Sequence, residues 1–153
     1  MLALLGLVAA SGVMAEATRA WPAAIMIYGG GLREPFYITT RAIFDSETYL
    51  FLYGGAKKPL RADVTGRPYF DLAMFWSGAV WKAIDADPKT VRDLKPADAT
   101  QRGRLYPPYR GEPAMVTATP FEAGSACSDE DPCGWTLGQT EVSVLRGLNI
   151  PGF

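Results

Sequence analysis

Glycine and proline interrupt this chain so often that its regular elements must be short. Sixteen glycines and twelve prolines are spread over 153 residues. Each supplies a turn conformation or removes a backbone donor, so the chain reads as short strands and helices joined by many turns. Against this, 48% of the residues are hydrophobic and only 20% charged. That is apolar enough to bury one real core and too apolar for disorder. The expected fold class is α+β. It comprises a small mixed or antiparallel sheet of about four to five strands, a C-terminal helix and one short helix.

The N-terminal run is set apart from the rest. Residues 1–15 are uncharged and mostly apolar, the length of a secretory h-region and short of the ~20 apolar residues a membrane-spanning helix needs. Val13 and Ala15 frame one small-residue cleavage site, and Ala15 and Ala17 frame another. The reading is a signal peptide over residues 1–15, or to 17, then a single α+β domain over 16–153. The protein is expected to be exported, periplasmic or secreted, with no membrane span once the leader is removed. The leader lacks a Lys or Arg at its start, which leaves open an N-terminal helix that stays attached.

Composition also excludes chemistry. Net charge is −1 and the isoelectric point near 5.4, so no strong positive field draws nucleic acid or an anionic membrane. There is no histidine. Ser-His-Asp and Cys-His nucleophiles, His-ligated zinc and c-type haem attachment are therefore all absent. The commonest general base near neutral pH is missing with them. The sequence leans away from an enzyme and carries no recognisable catalytic motif, metal set or cofactor site.

Several segments read as strands. Residues 23–28 are continuous and apolar and run into Gly29, Gly30 and Gly31, a buried strand closing in a turn. Residues 36–40 are aromatic and β-branched; residues 48–53 put Tyr49, Phe51 and Tyr53 on one face and Leu50 and Leu52 on the other. Residues 25–30 and 50–55 echo each other, as a duplicated unit or as two strands that end alike. Residues 69–76 are read as a strand with Phe70, Leu72, Met74 and Trp76 on one face, and 114–119 as another. From 85 to 113 the chain turns polar. Asp87 and Pro88 mark a short helix, and residues 102–110 read as extended loop because Pro107 and Pro108 disfavour helix before them. Thr136 and Gln139 fit a capping box for a terminal helix carrying Val142, Leu145 and Leu148, closed by Gly147 or Asn149 and stopped by Pro151.

Four constellations bear on function. Cys127 and Cys133 are spaced for a disulfide across a seven-residue loop, worth about 2 kcal/mol by loop entropy in an oxidising compartment. The alternative, Ca²⁺ on Asp129, Glu130 and Asp131, lacks the ligand count. Gly29–Gly31 lacks the spacing of a phosphate loop and is read as a turn. Arg102, Arg104, Tyr106, Tyr109 and Arg110 form the candidate binding patch. Arginine with tyrosine is hot-spot composition, and loops on a scaffold carry recognition. The bland alternative is a solvated loop with its tyrosines laid on the core. Carboxylate pairs (Asp45 with Glu47, Asp85 with Asp87, Asp129 with Asp131) read first as turn residues.

The expected function is a non-catalytic module that binds an unidentified protein or small molecule. The alternatives are a structural or assembly subunit of the cell envelope, with the Tyr49, Phe51, Tyr53 face as its contact surface, and a carboxylate-dependent hydrolase.

Overall fold

The computed structural model describes residues 22–39, 64–118 and 133–153. The readings on the leader, on strand 48–53, on Asp45, Glu47, Asp129, Glu130 and Asp131, and on the bond from Cys127 lie outside the described residues. Within them the chain forms β1 (Ala24–Tyr28), β2 (Phe36–Thr39), β3 (Phe70–Phe75), α1 (Gly78–Ala86), 3-10 turns at Pro88–Asp93 and Pro96–Asp98, β4 (Gln101–Tyr106), β5 (Met115–Ala118), β6 (Cys133–Thr136) and α2 (Gln139–Gly147).

The α+β class holds. The sheet is larger than expected: six described strands in the order β2-β1-β3-β4-β5-β6, every pairing antiparallel. β3 lies between β1 and β4, with Tyr28 opposite Asp71 and Asp71 opposite Arg104. The strand at 101–106 corrects the loop reading of that segment. Its alternation was hidden because Arg102 and Arg104 fall on one face while Gly103 breaks the apolar series on the other, leaving Leu105 to mark it.

Both faces of the sheet are covered, which is why its central strands read as continuous apolar runs. On one face Ile25, Ile27, Phe70, Leu72, Met74, Leu105 and Val116 pack with Leu137, Leu145 and Ile150 from the C-terminal segment. On the other, Ala24, Met26, Ala73 and Phe75 pack beneath Trp81 and Ile84 of α1 and Val91 of the first 3-10 turn. Each fully buried aliphatic side chain contributes about 1.5–3 kcal/mol. α1 was not foreseen. It starts at Ser77, whose hydroxyl accepts from the Val80 amide at 3.2 Å. Asp87 caps the following 3-10 turn by accepting from the Lys89 amide at 2.9 Å.

α2 has a different start and the expected end. Thr136 closes β6, and the N-cap is Gly138, which corrects the capping box. Asn149 adopts a left-handed conformation (φ 57°). The Ile150 amide then donates to Leu145 (3.1 Å) and the Asn149 amide to Arg146 (2.9 Å). This is a Schellman closure, with Ile150 and Leu145 joined in the core. Among the described residues no helix is long and apolar enough to cross a membrane.

The glycines after β1 are a turn. The Leu32 amide donates to Gly29 at 2.9 Å, and all three glycines have positive φ. At Gly30 a Cβ would sit 2.4 Å from the Phe70 ring and 2.6 Å from the Tyr69 carbonyl. Only glycine fits there.

Candidate binding site

The β4–β5 connection is built on a tight hairpin. Tyr109 and Glu112 exchange two backbone hydrogen bonds (3.1 and 2.9 Å). Arg110 (φ 49°) and Gly111 (φ 86°) between them both have positive φ, the pattern of a type I′ turn. A second turn, at residues 64–67, has Gly66 at φ 71° and the Arg67 amide donating to Val64 at 3.1 Å, as a type II turn requires. It leads through Pro68 and Tyr69 into β3, whose pairing of Phe70 with Leu105 sets it against the end of β4.

Between these segments lies a hollow of about 690 Å³, lined by residues 64–68, Tyr69, Arg104, Tyr106 and Tyr109. Among the described residues no carboxylate lines it.

Arg67 ties the walls together. Its Nη2 donates to the Pro107 carbonyl (3.0 Å) and the Pro113 carbonyl (2.8 Å), and its Nη1 to the Met115 sulfur (3.4 Å). Its guanidinium lies 5.7 Å from the centre of the Tyr106 ring. The side chain is only 8% exposed. Its Nε is buried without a hydrogen-bond partner among the described residues.

Arg104 is exposed at the sheet surface and set against two tyrosines. Its guanidinium stands 4.4 Å over the Tyr69 ring. A side-chain hydrogen bond to Tyr106 raises its pKa, more than burial lowers it, with Tyr69, Tyr106 and Asp71 adding smaller attractions. Tyr69 and Tyr106 are 5.8 Å apart, tilted by 51°. Tyr69 is 38% exposed and Tyr106 2%, so Tyr69 offers contact surface and Tyr106 forms floor. Beside them on the same face, Tyr28 has its phenol pKa pushed up, first by burial and then by Asp71, with Arg102 opposing.

Of the five patch residues expected from sequence, Arg104, Tyr106 and Tyr109 line the hollow. Arg102 shares their face but turns away, donating to the Pro96 carbonyl at 3.3 Å. Arg110 sits at the hairpin tip over Tyr109, 5.1 Å from its ring centre. The sequence reading missed Arg67 and Tyr69, which lie more than thirty positions upstream. A detectable signal was there: Arg67, Pro68 and Tyr69 follow a Thr-Gly turn pair and lead straight into an apolar strand.

Asp85 and Asp87 lie apart from the hollow, on α1 and as the cap of the 3-10 turn. Among the described residues no group of three or more His, Cys, Asp or Glu side chains could hold a metal ion. Compared with protein-family models, curated proteins and solved structures, the chain matches none.

Proposed function

We propose that this chain is an exported, non-catalytic binding module, released from its leader after Ala15 or Ala17, that takes a small molecule in the hollow between residues 64–69 and the 109–112 hairpin. One observation carries the reading: a concave site of about 690 Å³ that holds an exposed guanidinium 4.4 Å over the centre of an exposed tyrosine ring. Ligand pockets are of this volume, with a few polar groups fixed on an apolar and aromatic lining. Concavity favours a small molecule over a flat protein surface. Among the described residues the lining offers hydroxyls and guanidinium donors and no carboxylate, and the chain has no imidazole to move a proton at neutral pH.

The test is a fragment screen by NMR on protein recovered from the exported fraction, whose intact mass reports loss of residues 1–15 or 1–17. Bound fragments should perturb Tyr69, Arg104, Tyr109 and the amides of residues 64–67. Tyr69→Ser and Arg104→Ala should each weaken them at least about tenfold, the loss of roughly 1.4 kcal/mol. Tyr106→Ala is the wrong probe, because that ring is buried in the floor. Hits confined to other surfaces, or an exported form that retains Met1, overturn the reading.

A further inference from the structure

Among the described residues the hollow is lined by two guanidiniums, Arg67 and Arg104, and by no acidic side chain; the nearest described carboxylate on that face is Asp71, the cross-strand partner of Arg104. Arg67 is the more telling. It is 8% exposed, its described partners are two carbonyls, a thioether and the ring of Tyr106, and among the described residues its Nε has no hydrogen-bond partner. Buried cations are ordinarily paired with a carboxylate. Here the field of the cation extends into the cavity, where an anion would be stabilised by both guanidiniums together.

Arg104 defines the shape of that anion. Its guanidinium carbon stands 4.4 Å over the centre of the Tyr69 ring and its side chain is exposed. A guanidinium carries planar donors in a fixed fork, the geometry that matches a carboxylate. Beside it, the exposed ring of Tyr69 with Val64 and Pro68 forms an apolar shelf on which a flat ring can stack. Resting on the binding reading above, we infer that the ligand of this hollow is a carboxylate borne on a ring, its carboxylate at the edge of Arg104 above buried Arg67 and its ring against Tyr69. Phosphate, more highly charged, more strongly hydrated and without a ring to stack, is the competing anion.

Three probes separate the terms: sodium benzoate, benzamide as its neutral isostere, and inorganic phosphate. Each is titrated into the mature protein at low and high salt and followed by NMR. Benzoate should saturate near millimolar, as so few heavy atoms allow. It should bind at least about tenfold tighter than benzamide, the gap narrowing as salt rises. Arg104→Gln should bring benzoate down to the benzamide level. Arg67→Met should weaken benzoate by a larger factor than benzamide; equal losses of the two would mean that Arg67 acts on the hollow's shape and not on the anion, and if that variant does not fold, the Arg104→Gln comparison decides. Equal affinity for benzoate and benzamide overturns the carboxylate and leaves the hollow as a site for neutral rings. Phosphate binding in preference to benzoate overturns the ring. No perturbation by any probe overturns the inference, and the fragment screen then decides separately whether the hollow binds anything.

Discussion

The two faces of the sheet use the same strands to opposite ends. Toward α2, alternate residues of β1, β3, β4 and β5 are Ile25, Ile27, Phe70, Leu72, Met74, Leu105 and Val116, a continuous apolar floor sealed by Leu145 and Ile150. Toward α1 the same strands change character along their length. Ala24, Met26, Ala73 and Phe75 lie under Trp81 and Ile84. A few residues along, Tyr28, Asp71, Arg104 and Thr117 stand in one cross-strand row. A sheet needs one sealed face to fold. At the polar end of the other face Arg104 and Tyr69 are exposed over buried Tyr106, so part of that end lies outside the core.

The sharpest way to break this contrast is to cut the same strand pair on opposite faces. Leu72 is 0% exposed on the α2 side. Its truncation to alanine leaves a cavity between two strands and a helix layer, and should cost about 2–5 kcal/mol. Arg104→Ala removes an exposed cation and should change stability by no more than about 1 kcal/mol, the scale of an exposed cation–π contact. Urea unfolding of both variants checks it. Similar losses for the two would mean that the polar end is part of the core after all.

The contrast also explains what the sequence could show. The apolar floor was legible because period-two alternation survives in 69–76, and the helix end because Asn149 and Pro151 are local signals. α1 was not, since Ala79, Val80, Trp81 and Ile84 give too short a stripe to separate from the preceding strand. Strand β4 was concealed for the opposite reason. Its polar residues Arg104 and Tyr106 line the candidate hollow, and alternation is expected to fail at such sites. The site was half legible: composition picked out Arg104, Tyr106 and Tyr109, but only strand pairing brings Arg67 and Tyr69 to them.

Arg67 tests the boundary between the two regimes, since it is buried like a core residue and charged like a site residue. Arg67→Met lifts the desolvation of the cation but leaves the Pro107 carbonyl, at a buried residue, without its donor. The second effect should win, because an orphaned buried acceptor costs about 1–3 kcal/mol. A net loss in that range is expected in thermal or urea unfolding. A variant as stable as the parent would contradict the assignment of Arg67 as the tie between the two walls.

The smallest effect lies at the hairpin tip and reverses a familiar rule. Alanine ordinarily stabilises relative to glycine by roughly 0.5–1 kcal/mol through chain entropy. Arg110, however, has φ 49° in a turn where its neighbour Gly111 has φ 86°. A left-handed conformation costs an L side chain about 1–2 kcal/mol. Arg110→Ala keeps that strain and loses the contact with Tyr109, whereas Arg110→Gly loses the contact and relieves the strain. The glycine variant should therefore be the more stable of the two by up to about 1 kcal/mol, measured as paired denaturation curves. Should alanine match or exceed glycine here, the turn does not hold its left-handed backbone in solution, and the rim of the hollow is less rigid than the contrast between the two faces requires.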